Sequence, residues 1–314
     1  MASRVLYFLD NWNDEAVALF ERCKTPLSQN PHQLCHCFER AVITHKDWVF
    51  SQFSDFLHYK ANQLNRNQHD FPIDHSGTEL IKKLFESYPE ETFLLCKSVT
   101  EKIILQTQWE HLHGGINEDG AFYFYSHSKG SMHGDDEFFK LFIDEIEENA
   151  VKENHLFESL LSEYSKSDFA SFLRLAMYGI LANPKRYYKE ALELLRYINS
   201  RNSFSGDDKL QYFVRQVINK ICPLVSYDDR KEINRMIEGI KVTYENEVFV
   251  HPQTQKKTRR SFHGHYQYLF WLSVPEKELE NFPDLFQKFQ VLARKFGKVA
   301  DKEPNRITVS GSYP

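Results

Sequence analysis

The chain has 314 residues, of which 41% are hydrophobic and 26% charged, a balance that supports a packed core and excludes a disordered chain. Its length allows two domains or one elongated helical array. A net charge of −5 provides no global field for nucleic acid or an anionic membrane, and no apolar run approaches the ~20 residues of a bilayer span.

Asp14 to Cys23 places Ala16, Leu19, Phe20 and Cys23 at i, i+3, i+4, i+7, which predicts a first amphipathic helix. After the turn "TPLSQNP", the segment "HQLCHCFERAVITHKDWVFSQFSDFLHYKANQL" predicts two helices broken near His45 to Asp47. "SGTELIKKLFESY" has a capping-box start at Ser76 and Glu79, and Pro89 opens a further helix through "EKIILQTQWEHL".

Residues 113–137 break this habit. They hold Gly114, Gly115, Gly120, Gly130 and Gly134 around the aromatic run "AFYFYS", which predicts a brief strand or extended loop. Six amphipathic segments follow, from "DEFFKLFIDEIEENAV" to "DDRKEINRMIEGIKV", several opened by Asp, Ser or Pro. The separation of Pro184 from Pro223 is close to the ~40-residue period of HEAT-like helix pairs.

With only 12 Gly and 11 Pro, the chain lacks the turn residues that an all-β fold needs. The expected fold is therefore all-α: antiparallel helix pairs, HEAT-like or an irregular α-solenoid, with one Gly/His-rich insertion and a small hairpin there. The expected organisation is an N-terminal helical region 1–112, an insertion 113–136 and a C-terminal helical region 137–314.

The insertion carries His111, His113, His127, His133, Asp135 and Asp136, residue types that bind zinc, although their spacing matches no known ligand set. "HQLCHC" puts His32 and His36 on one helical face, but Gln33 stands where a zinc hydrolase motif needs Glu. No P-loop, nucleophile elbow or dinucleotide loop occurs, so neither nucleotide hydrolysis nor a cofactor is expected. Cys23, Cys35, Cys37, Cys96 and Cys222 are sparse and odd in number, which points to reduced thiols in the cytoplasm. The early acidic residues of "MASRVLYFLDNWNDE" do not suit a signal peptide.

The basic residues Lys256, Lys257, Arg259 and Arg260 precede "SFHGHYQYLFWLSVP". They offer a basic partner surface, and with the neighbouring rings a platform for single-stranded nucleic acid. The apolar run through Tyr268, Leu269, Trp271, Leu272 and Val274 is instead expected to be a buried helix behind a solvated loop.

Gly264, Leu269, Leu292, Arg294, Lys295, Phe296, Val309, Ser310 and Pro314 lie in a C-terminal stretch that resembles the helical region of very large bacterial STAND-type NTPases, including antiviral defence proteins. The resemblance covers the C-terminal half, not an NTPase core. It implies a non-catalytic sensor or relay segment, and the ending "SGSYP" reads as cut from something longer.

Two functions are carried forward. The first is a helical module for protein–protein interaction, since stacked helices present faces to partners. The alternative is a metal-dependent hydrolase or nuclease using the histidines of 111–136.

Overall fold

The computed structural model describes residues 6, 8–9, 12–28, 30–64, 73, 75–109, 115–119, 136–205, 208–240, 248–250, 253–259 and 263–297. Among them are fourteen α-helices: α1 (Asp14–Ser28), α2 (Pro31–Ala41), α3 (Lys46–Asn62), α4 (His75–Ser87), α5 (Pro89–Thr107), α6 (Asp136–Val151), α7 (His155–Tyr164), α8 (Ala170–Ala182), α9 (Pro184–Ser200), α10 (Asp208–Ile221), α11 (Tyr227–Glu238), α12 (His265–Trp271), α13 (Glu276–Leu279) and α14 (Pro283–Phe296). The fold is all-α. Among the described residues the strands are two short ribbons, β1 (Gln108–Trp109) with β2 (Glu118–Asp119) and β3 (Val248–Val250) with β4 (Lys257–Arg259).

Helix starts follow the sequence closely. Pro31, Pro89, Pro184 and Pro283 each open a helix, where their missing N–H costs nothing. The side chains of Asn30, Asn154 and Ser226 accept first-turn N–H groups of α2, α7 and α11. The break predicted near His45 lies between Ala41 and Lys46, and His45 is the N-cap of α3. Two expectations need correction. Ser76 lies inside α4, whose first residue is His75, so its hydroxyl does not cap the helix but meets His32 Nδ1 at 2.7 Å. The basic run is not wholly a loop, because Lys257, Thr258 and Arg259 form β4, in register with Val250, Phe249 and Val248.

The chain forms two compact units, 1–110 with 119–146, and 111–118 with 147–314. The dividing point at 146/147 falls within α6, whereas sequence punctuation placed divisions at 112/113 and 136/137. In unit 1, α2 packs on α4, and α3 on α5. Its centre is a cluster of rings, with Phe20 edge-on to Trp48 at 5.0 Å and against Phe38 at 5.5 Å. Such pairs add to their buried area the attraction of a ring edge for a ring face.

In unit 2, α8 packs against α7, α9 and α10. It is apolar on nearly all sides, and every residue from Ala170 to Ile180 is buried, the pattern of a helix enclosed by others. Gly179 brings its backbone against the Phe157 ring, so a Cβ there would sit 2.1 Å from Cε2. Further along, α12 buries Tyr268, Phe270 and Trp271, the last only 2% exposed. Gly264 at the start of α12 has φ +80, and an added Cβ would meet Leu292 of α14 at 2.9 Å.

Two substitutions test this packing. Gly179→Ala improves helix propensity by up to about 1 kcal/mol, but it drives a methyl into a ring that is itself wholly buried. Overpacking of that kind costs about 1–3 kcal/mol, so the variant should melt below the parent; an equal or higher melting temperature refutes the contact. Trp271→Ala removes a buried ring and should cost about 3–5 kcal/mol in denaturant unfolding, and an unchanged midpoint would place Trp271 outside the core.

Candidate functional site

The histidines and aspartate His111, His113, His127, His133 and Asp135, together with Arg260, lie outside the described residues. Asp136 opens α6. Lys256 and Lys257 are exposed near and on β4, which also contains Arg259. Of the rings beyond them, Tyr268, Phe270 and Trp271 are buried, Tyr266 and His265 are half-buried, and His263 is exposed.

On α2, Cys35 and Cys37 point inward and are buried. Burial pushes the Cys37 thiol up to about 11 and that of Cys222 to about 12, and it raises Cys96 as well. A thiolate is the nucleophile and metal ligand, so these three groups are held in the inert form. His36 lies 3.9 Å from Glu39, and burial holds its imidazole below its ordinary value.

Among the described residues, a groove of about 460 Å³ in unit 1, lined by α1, α2 and α3, is shaped to receive a ligand. Buried Phe20, Leu34, Phe38 and Phe56 give it an apolar floor. They converge because α1, α2 and α3 each carry apolar residues at helical spacing. The rim is polar. Lys24 Nζ donates to Gln52 Oε1 at 2.5 Å, and Trp48 Nε1 donates to Glu21 Oε1 at 3.1 Å. Asp55 and Tyr59 stand one turn apart on α3, both at the open edge of the groove. Among the described residues neither side chain makes a hydrogen bond.

An apolar cavity with a few polar groups at its edge is the usual form of a recognition site. Sequence reading placed Phe20, Phe38 and Phe56 correctly on apolar faces, but it gave no sign that those faces leave a groove. That depends on how three helices cross.

A second polar assembly lies on α4 and the start of α6, in the same unit. His75 and Glu79 stand one turn apart on α4, and Glu137 faces them from α6. The three offer ligand atoms that all lie within 4.8 Å of one another. Lys82 Nζ donates to Glu79 at 2.6 Å and to Glu137 at 2.7 Å. No signal local to either stretch could have joined residues so distant in sequence. No family model, curated protein or solved structure matches the chain.

Thiol chemistry provides a direct check. Cys23 alone among the five is not buried. The native chain should therefore react promptly with a thiol-specific disulfide reagent at Cys23 and label fully only on unfolding; rapid native labelling of Cys37 or Cys222 would contradict their burial.

Proposed function

We propose that this chain is a non-catalytic α-helical module for protein–protein interaction, and that the groove of unit 1 receives an apolar anchor side chain of its partner. The observation that carries this reading is the ring-lined floor, Phe20, Phe38 and Phe56, open beside the pair Asp55 and Tyr59. Interfaces concentrate their energy in such anchors, bounded by a polar rim that excludes water. Lys24 and Glu21 already have partners within the rim, which leaves the Asp55 carboxylate to face the partner. A lysine or arginine beside the anchor complements it.

The inert buried thiols support a role without covalent catalysis. The resemblance of the C-terminal stretch to STAND-type NTPases supports a setting in bacterial antiviral defence, with this chain as sensor or relay. Reduced, buried cysteines fit a cytoplasmic location. A stack of helix pairs is the architecture such modules use, and the interval from Pro184 to Pro223 fits that spacing, since Pro184 opens α9 and Pro223 lies in the turn after α10.

A photo-crosslinking amino acid tests the groove directly. Placed at Tyr59 in cells producing the chain, it should give one discrete adduct with a defined protein, and Asp55→Lys should abolish that adduct without lowering the melting temperature. The same group at Lys185, exposed in unit 2, should not give it. The same adducts at both positions, or an adduct indifferent to Asp55→Lys, would remove the groove as the docking site.

A further inference from the structure

Among the described residues, the polar assembly on α4 and α6 sets two carboxylates around one lysine and one histidine. The Lys82 ammonium donates to Glu137 at 2.7 Å and to Glu79 at 2.6 Å. Two carboxylates thus face one ammonium. Among the described residues, only Lys82 and the His75 imidazole lie within ion-pair distance of them, with His75 Nδ1 3.8 Å from Glu137 Oε2. The His75 ring nitrogen thus lies beside both carboxylates as a third ligand atom, all within 4.8 Å of one another.

We infer that His75, Glu79 and Glu137 form a binding site for a divalent first-row metal ion of the zinc class, which takes the position that the Lys82 ammonium occupies between the carboxylates. The ligand set is one imidazole nitrogen and two carboxylate oxygens, which zinc accepts together with water. Zinc bonds of about 2 Å put neighbouring ligand atoms roughly 3.3 Å apart. The observed limit of 4.8 Å needs only side-chain rotation to close. His75 is 78% exposed and can turn freely, and Glu79 is exposed by 42%.

Two details favour a held carboxylate over an accidental meeting of surface charges. Thr78, with no exposed surface, places its hydroxyl 3.0 Å from Glu137 Oε2 and 2.9 Å from the His75 carbonyl, and so fixes the carboxylate that comes from the other helix. Hydrogen bonds that orient ligating carboxylates in this way tune metal affinity. Ser76, beside His75, is tied to His32 of α2, which steadies the first turn of α4. Lys82 is half-exposed and long, so a doubly charged ion can displace it into solvent. The bound ion then pins the first turn of α6 to α4 as the lysine does, with twice the charge.

The inference is independent of the protein-binding groove and is tested on the full chain, stripped with chelator and titrated with zinc chloride by calorimetry. The parent should bind one zinc that is lost, or weakened more than roughly tenfold, in His75→Ala/Glu137→Gln. Lys82→Met removes the competing cation and should bind zinc more tightly than the parent, with a larger rise in melting temperature on adding zinc. Glu79→Gln, a milder change on the exposed side, should weaken binding if the double variant does not fold. Equal zinc binding by the parent and either ligand variant places the ion elsewhere and overturns the site. Weaker zinc binding by Lys82→Met than by the parent shows that the lysine supports the ligands rather than competes, and it also overturns the site.

Discussion

In unit 2 the constraint on which the packing depends is the missing side chain at Gly179. The Phe157 ring lies against that bare stretch of α8 and meets Tyr187 of α9 edge-on at 5.0 Å. Three helices therefore meet around one ring. Because α8 is apolar on nearly every face, it must be covered from several sides, and α7, α9 and α10 acquire their buried stripes by covering it. Unit 1 packs its α1–α3 core by setting ring edges against ring faces among Phe20, Phe38 and Trp48. Rings fill space between helices well but cannot be trimmed to fit its ends. The groove at α1–α3 is the outer end of that packing.

With cores this apolar, ionic groups gather at the helix surfaces in clusters. Arg196 lies within ion-pair distance of Glu193, Asp229 and Glu232, and so joins α9 to α11. Arg186 is similarly placed among Glu153, Glu158 and Glu190. Hydrogen bonds from Arg196 hold Glu232 below the ordinary carboxylate range, as Lys82 does for Glu137. A carboxylate with a depressed folded value contributes stability above its unfolded value and loses it as pH falls through the folded one. Both units therefore have acid-sensitive surface ties, and their cores contribute stability independent of pH. Each exposed tie is worth little alone.

The sequence made most of the helices legible because apolar spacing, proline starts and side-chain caps agree at the same positions. Pro89 and Pro184 are helix starts by local chemistry, and the structure places them so. Ser76 misled because Ser-x-x-Glu fits a capping box only when the serine precedes the helix, and the choice of His75 as first residue is made by packing, which turns the hydroxyl to His32. The strand at Lys257–Arg259 was hidden for a similar reason: a run of basic residues has no intrinsic extended preference, and only its pairing with Val248–Val250 makes it one.

The triad of His75, Glu79 and Glu137 shows where reading along the chain stops. Two of its members, a histidine and a glutamate four residues apart, make a helix-face pattern that spacing alone can reveal. The third arrives from α6, beyond the whole of α5, where Phe142 packs on Phe93 at 5.3 Å. The meeting of two carboxylates between α4 and α6 is thus a product of the apolar core. Ring contacts decide where α6 lies, α6 brings Glu137 beside Glu79, and the two carboxylates then require a cation between them. Among the described residues, Lys82 meets that requirement from one turn beyond Glu79 on the same helix, with the His75 ring beside Glu137.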